Sequence, residues 1–100
     1  MINERMRIML ESLKRAVCDA NLDLVAKGMV IYTWGNVSGI SADRKYMVIK
    51  PSGVSYDGMT PGDMVVIDLE SGEKVEGKWR PSSDSKTHRE IYRRYGNIGG

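Results

Sequence analysis

The sequence has a single cysteine, a single histidine and no long apolar run. Cys18 has no partner with which to close a disulfide inside the chain, which fits a reducing compartment such as the cytoplasm. His88 alone falls short of the three protein ligands that zinc sites need. With one histidine, and a cysteine on a helical apolar stripe, no Ser-His-Asp or Cys-His nucleophilic arrangement is supported. The longest purely apolar runs, such as "MVVI", are far too short to span a bilayer. Charge of either sign is also scarce in net terms. The formal charge is +2 with acids and bases interspersed, so neither a nucleic-acid nor a membrane partner is expected. Glu4 and Glu11 in the basic N-terminal stretch count against a transit peptide, which is poor in acids. No repeat or low-complexity tract is present.

What remains is a chain of 100 residues, 41% of them apolar, which fits one domain with an ordinary core. From about Asn3 to Lys27 the apolar residues Met6, Met9, Leu10, Leu13, Ala16, Val17, Ala20 and Leu24 recur at helical spacing. Glu4, Arg7, Glu11 and Lys14 fall mostly between them. Asn3 is placed to cap this helix and Gly28 to end it, and Asn21 is a point at which it would break earlier. Cys18, near the edge of the stripe, reads as a small packed hydrophobe.

The pattern then changes to strands. "MVIYTWGNVSGIS" and "YMVIK" are rich in β-branched and aromatic residues, with turn composition in "SADRK" between them. "MVVIDL" is a third strand, followed by a turn in "ESGEK" and a short strand "VEGKW". A last helix runs from about Ser85 to Tyr95 and closes at Gly96. Arg89, Arg93 and Arg94 on it read as a solvated face or a contact with another subunit. Helix, strands, helix implies an α+β fold with a mainly antiparallel sheet.

Three clusters carry candidate chemistry. In "TWGNVSG", Gly35 permits close backbone approach and Asn36 offers both a donor and an acceptor. In "KPSG", Pro51 stiffens a turn exposing the Ser52 hydroxyl and the Gly53 amide, and Lys50 adds positive charge. In "RPSSDSKTH", Ser82 and Ser83 stand at a helix entrance, where free N–H groups and the dipole favour an anion. Each cluster also has an ordinary structural reading, as a turn or a helix cap. Asp84 has two readings as well. As a first-turn acid it stabilises the helix dipole by about 0.3–1 kcal/mol; as a chemical group it exchanges a proton or meets a metal. His88, one turn further on, reads as structural.

Taken in order, "TWGNVSGI", "MVIKPSGVSYDGMTPGDMVVIDLESGEKVEGK" and "PSSDSKTHREIYRRYGNIGG" resemble the N-terminal part of the class II aldolase/adducin-like family, over nearly the whole chain. The "SSDSKTH" segment is similar to the epimerases of that family, whose aldolases usually carry glutamate where Asp84 stands. The resemblance implies an α/β/α sandwich around a mainly antiparallel sheet, with residues 1–100 as the N-terminal part of a single domain. It implies conversion of a phosphorylated ketopentose, L-ribulose 5-phosphate, to D-xylulose 5-phosphate. There zinc stabilises an enediolate during retro-aldol cleavage and re-formation of the C3–C4 bond. It implies substrate and phosphate contacts at Gly35, Asn36, Lys50, Ser52, Gly53, Ser82 and Ser83, and an acid/base or zinc-ligand role for Asp84. It also implies a cytoplasmic homotetramer. In the family, zinc histidines follow soon after the "IGG" sequence, whereas this sequence stops at Gly100. The 100-residue chain alone is therefore expected to be a truncated, inactive piece. A sugar-phosphate aldolase and a non-catalytic adducin-type interaction module are the alternatives that the same resemblance leaves open.

Overall fold

The computed structural model describes residues 4–27 and 36–96. Helix α1 (Glu4–Ala26) leads into four strands, β1 (Ser38–Ile40), β2 (Tyr46–Ile49), β3 (Val65–Asp68) and β4 (Lys74–Glu76), with a 3₁₀ turn at Pro61–Asp63 before β3. Helix α2 (Ser85–Arg94) follows. The strands form an antiparallel meander in the order β1-β2-β3-β4, with Val48 opposite both Gly39 and Val66.

The sheet is covered on both faces. On one side Leu10, Val17 and Cys18 of α1 pack with Val48, Met64 and Val66. On the other, Tyr92 of α2 packs with Met47, Ile49, Val65 and Ile67. Alternate residues of β2 and β3 point to opposite layers, and both layers are apolar, so "YMVI" and "MVVI" read as continuous runs instead of alternating ones. Burying each such side chain stabilises the fold by roughly 1.5–3 kcal/mol. The expected α/β/α arrangement is therefore present. Gly39 lets α1 approach β1 closely, because a Cβ there would stand 3.0 Å from side-chain carbons of both Leu13 and Val17.

Four expectations change on the structure. Asn21 does not break α1. Its buried amide donates to the carbonyls of Val17 (2.8 Å) and Val37 (3.0 Å) and accepts from the Val37 N–H (2.8 Å), so the helix continues through it. Lys14 is not on a solvated face. It is 5% exposed, and its ammonium bonds to Glu76 of β4 and to Glu11 at 3.4 Å. Arg89 is neither free on the surface nor turned outward. Its guanidinium donates to the carbonyls of Leu69 (2.7 Å) and Glu70, fastening α2 to the β3–β4 turn. The strand expected at "VEGKW" is narrower, since β4 ends at Glu76 and Gly77 has a positive φ of 122°. The proposed caps at Asn3 and Gly28, the first part of the "MVIYTWGNVSGIS" strand and the final "NIGG" lie outside the described residues.

Candidate functional site

Two prolines bring the serine clusters together. Pro51, just past β2, forms an isolated antiparallel bridge with Pro81. A proline has no N–H to give, so the hydrogen bonds come from its neighbours. Ser82 N–H donates to Lys50 O (2.9 Å) and Ser52 N–H to Arg80 O (2.7 Å). "KPSG" and "PSSD" thus lie side by side. Gly53 turns the first loop with φ +68°, and no atom lies within 4 Å of where its Cβ would be. Conformation, not space, is what requires glycine there.

A third segment joins them. The Asn21 clamp on Val37 fixes the chain entering β1, and this places the Asn36 side chain against α2. Asn36 Nδ2 donates to Asp84 Oδ2 (2.8 Å) and to Ser82 Oγ (3.2 Å). Ser82 is buried, and its Oγ also accepts from the Asp84 N–H at 3.2 Å. Its carbonyl receives the Ser85 N–H (3.0 Å) and the Ser85 hydroxyl (2.6 Å). The capping of α2 is therefore done by Ser82. The carboxylate of Asp84, at the N-cap position, makes no cap hydrogen bond and is exposed. The plain cap reading fits Ser82 but not the Asp84 side chain.

The remaining candidates are placed as follows. Ser52 and Ser83 are exposed on the two loops. Lys50 is only 2% exposed; its ammonium donates to Pro51 O (3.1 Å) and lies 5.0 Å above the Tyr56 ring. Burial lowers its pKa below the usual lysine range. Its charge thus sits within the loop's own structure. Gly35 lies outside the described residues. Cys18 is buried, with its thiol pKa raised mainly by desolvation, in keeping with a packed hydrophobe.

Sequence reasoning missed two partners. The Ser38 hydroxyl lies 2.6 Å from His88 Nδ1 and 2.7 Å from the Tyr92 hydroxyl. The signal for this was available, since Asp84, His88 and Tyr92 are spaced at four and share one helix face, opposite Asn36 and Ser38 on alternate positions of one strand segment. Asn36, Ser38, His88 and Tyr92 border a cavity of about 300 Å³ between β1 and α2, which Asp84 does not line. A larger hollow of about 480 Å³, bordered by Arg44, Asp68 and Arg93, contains none of the candidate residues.

Burial pushes the His88 pKa down, and the nearby Asp84 charge only partly opposes this. The sign of the consequence follows from proton counting. Below the unfolded value of about 6.5 the unfolded chain binds more protons than the folded one, so stability rises with pH there. The contribution is complete above that pH and is lost as pH falls toward the lower folded value. Urea unfolding between pH 7.5 and 5 should show this loss. It should be flattened in His88→Asn, which keeps a polar atom near the Nδ1 position but does not titrate. The acid-range losses from Asp43, Asp63 and Glu90, whose pKa values are also lowered, fall in a separate and lower window.

Among the described residues no group of three or more His, Cys, Asp or Glu side chains is close enough to hold a metal ion. Asp84 is a lone carboxylate with one oxygen taken by Asn36, and His88 Nδ1 is engaged by Ser38. These residues by themselves do not fit a zinc centre.

The class II aldolase and adducin N-terminal domain matches residues 15–100. The chain belongs to this family. Its fold is also that of solved class II aldolase structures. An L-fuculose 1-phosphate aldolase is 30% identical, with a TM-score of 0.80 over 88% of this chain. YgbL from Klebsiella pneumoniae is 21% identical, with a TM-score of 0.79 over 91% of this chain. An L-fuculose 1-phosphate aldolase from Glaciozyma antarctica PI12 is 17% identical, with a TM-score of 0.74 over 89%. The last two likenesses concern the fold alone. The chain spans 41%, 42% and 38% of these three proteins, respectively.

Proposed function

We propose that this chain supplies the phosphate-anchoring part of a class II aldolase-type enzyme acting on a phosphorylated sugar, with L-ribulose-5-phosphate 4-epimerase as the specific activity. The observation that carries the reading is the state of the Ser82 hydroxyl. A serine oxygen has two acceptor positions and one proton. Both acceptor positions are filled, by Asn36 Nδ2 and the Asp84 N–H. The proton is left to point to another acceptor, and an anionic oxygen is the strongest one available. The first turn of α2 adds the positive end of a helix dipole. Ser52, Ser83 and the Gly53 amide, on the bridged loops, add further donors, and Lys50 is the cation that the resemblance assigns to the same pocket.

In this reading the serines hold the phosphoryl group, and Asp84, whose carboxylate is not used as a cap, holds or moves a proton on the sugar. The zinc implied by the resemblance needs ligands beyond those grouped here. Residues 1–100 then form the N-terminal part of one domain, in a cytoplasmic oligomer whose remaining residues complete the centre. The epimerase is favoured over an aldolase by aspartate at position 84. The aldolase reading is favoured by the 30% identity to an L-fuculose 1-phosphate aldolase.

A longer protein carrying this chain separates the two when it is given L-ribulose 5-phosphate and L-fuculose 1-phosphate. Epimerase activity yields D-xylulose 5-phosphate from the first, whereas an aldolase releases two separate fragments. Absence of both products would end the enzymatic reading. In the active protein, Ser82→Ala should raise KM for the phosphorylated sugar by about tenfold or more, since a hydrogen bond to a charged group is worth roughly 1.5–3 kcal/mol. The 100-residue chain itself should retain no zinc through dialysis, because one carboxylate without assisting imidazoles binds zinc weakly. Metal analysis of the purified chain checks this, and stoichiometric zinc would show that Asp84 and His88 act together as ligands.

A further inference from the structure

We propose that the hollow of about 480 Å³ beside the β1–β2 turn is a second binding site, which takes a compact polyanion. The ligand is a small molecule with two or more carboxylate or phosphate groups. The site is separate from the serine loops. β2 runs from Tyr46, which borders the hollow, to Ile49, just before the Pro51–Pro81 bridge, so the whole strand lies between the two. The proposal therefore does not rest on the phosphate reading given above.

It starts from an arginine whose charge the fold does not use. Of the arginines on α2, Arg89 is fastened to the β3–β4 turn and Arg94 pairs with Glu90 at 2.8 Å. Arg93 is exposed, has no hydrogen-bonded side-chain partner among the described residues, and borders the hollow. Lys45, also exposed, borders it from the β1–β2 turn.

Arg44 supplies a third cation, at a backbone cost. Among the described residues it is the one non-glycine with a positive φ, 59°, where glycine or asparagine is less strained. What arginine gains there is reach. Its Nη2 donates to the carbonyls of Tyr92 (3.0 Å) and Tyr95 (3.2 Å), at the C-terminal end of α2. The carbonyl end of a helix repels anions. A guanidinium seated on it offsets that partial negative charge, so Arg93 in the same turn attracts an anion without opposition from the helix end.

The acids of the hollow weigh less than their formal charge suggests. Asp68 Oδ1 accepts the N–H groups of Glu70 (2.9 Å) and Ser71 (3.0 Å), so its charge is partly met by its own turn. Glu70 is exposed and solvated. A surplus of positive charge is left. One exposed ion pair contributes little, which rules against a monovalent anion. Several cations meeting on one ligand are different, because guanidinium forks match carboxylate and phosphate oxygens and their charges act together. The volume lies within the usual range for small-molecule sites.

The test titrates the purified 15N-labelled chain with citrate and, separately, with pyrophosphate, each against sodium chloride at matched ionic strength. At least one polyanion should give saturable shifts at the Lys45 and Arg93 backbone amides and at the Nε–H groups of Arg44 and Arg93. Citrate alone would identify carboxylates as the preferred source, and pyrophosphate alone phosphates. Arg93→Ala and Lys45→Ala, both at exposed positions, should each weaken this binding several-fold. Glu70→Gln, which removes a like charge, should strengthen it. An affinity that does not follow these charges would overturn the proposal, as would shifts that sodium chloride reproduces. Shifts confined to Ser52, Gly53, Ser82 and Ser83 would overturn it while supporting the phosphate-anchoring reading of those loops. A chain unmoved by either polyanion would count against both.

Discussion

Asn21→Leu is expected to destabilise the chain by about 2–6 kcal/mol, although leucine is the better helix former. The two readings of this residue differ in sign. Were Asn21 only a polar residue inside a helix, leucine would stabilise by up to about 0.7 kcal/mol through propensity. In the structure Asn21 is fully buried, and its amide serves both the N–H and the carbonyl of Val37. Leucine removes those partners and leaves two backbone groups without hydrogen bonds, at about 1–3 kcal/mol each. Domains of this size have about 5–15 kcal/mol in total, so the variant should melt well below the parent or fail to fold. Urea unfolding of the two chains gives the answer directly. A stability equal to or above the parent would show that Val37 finds other partners and that the clamp does not hold the entry to β1.

The same residue shows what was legible in the sequence. Helix α1 follows from its apolar spacing, strands β2 and β3 from their β-branched runs, and helix α2 from the polar entrance before it and the glycine after it. Asn21 was misread because propensity scores an asparagine inside a helix only by what it costs locally. Its compensation comes from Val37, whose proximity depends on the tertiary fold. Lys14 and Arg89 were misread for the same reason. A long basic side chain has no periodic signature for a partner across the sheet or in a turn. The site was partly legible. "PSSD" before a helix announced an anion-compatible entrance, but the Pro51–Pro81 bridge that sets it beside "KPSG" is a long-range pairing with no local signal. The division of labour between Ser82, which caps, and Asp84, which does not, was visible only once Asn36 was seen holding the carboxylate. Ser38 was passed over because a serine in a strand is unremarkable until its partners, His88 and Tyr92, are placed against it.

Glu76→Ala should destabilise by about 3 kcal/mol or more, while Lys14→Met should be near neutral or stabilising. Lys14 lies on α1 with its side chain 6% exposed, and its ammonium pairs with Glu76 on the edge strand β4. Glu76 is more open, at 34%, so the desolvation burden of the pair falls mostly on the lysine. Removing Glu76 strands a buried ammonium, and loss of one partner from a buried pair costs about 3–5 kcal/mol. Glu11, 3.4 Å away and largely exposed, supplies partial compensation, which sets the expectation at the lower end of that range. Lys14→Met acts in the opposite way. It removes the charge that had to be desolvated and retains the apolar stem, in a position next to Leu13 and Val17 of the core-facing stripe. Glu76, left without its partner, is exposed enough to be solvated. The two substitutions delete the same ion pair, so a contact-counting view makes their effects equal. Desolvation makes them unequal, with the glutamate variant the less stable. Equal losses in urea unfolding would mean that the pair is effectively solvated and that Lys14 is not the buried member of it. A stable Lys14→Met chain would show that the pair orients β4 against α1 more than it stabilises the fold.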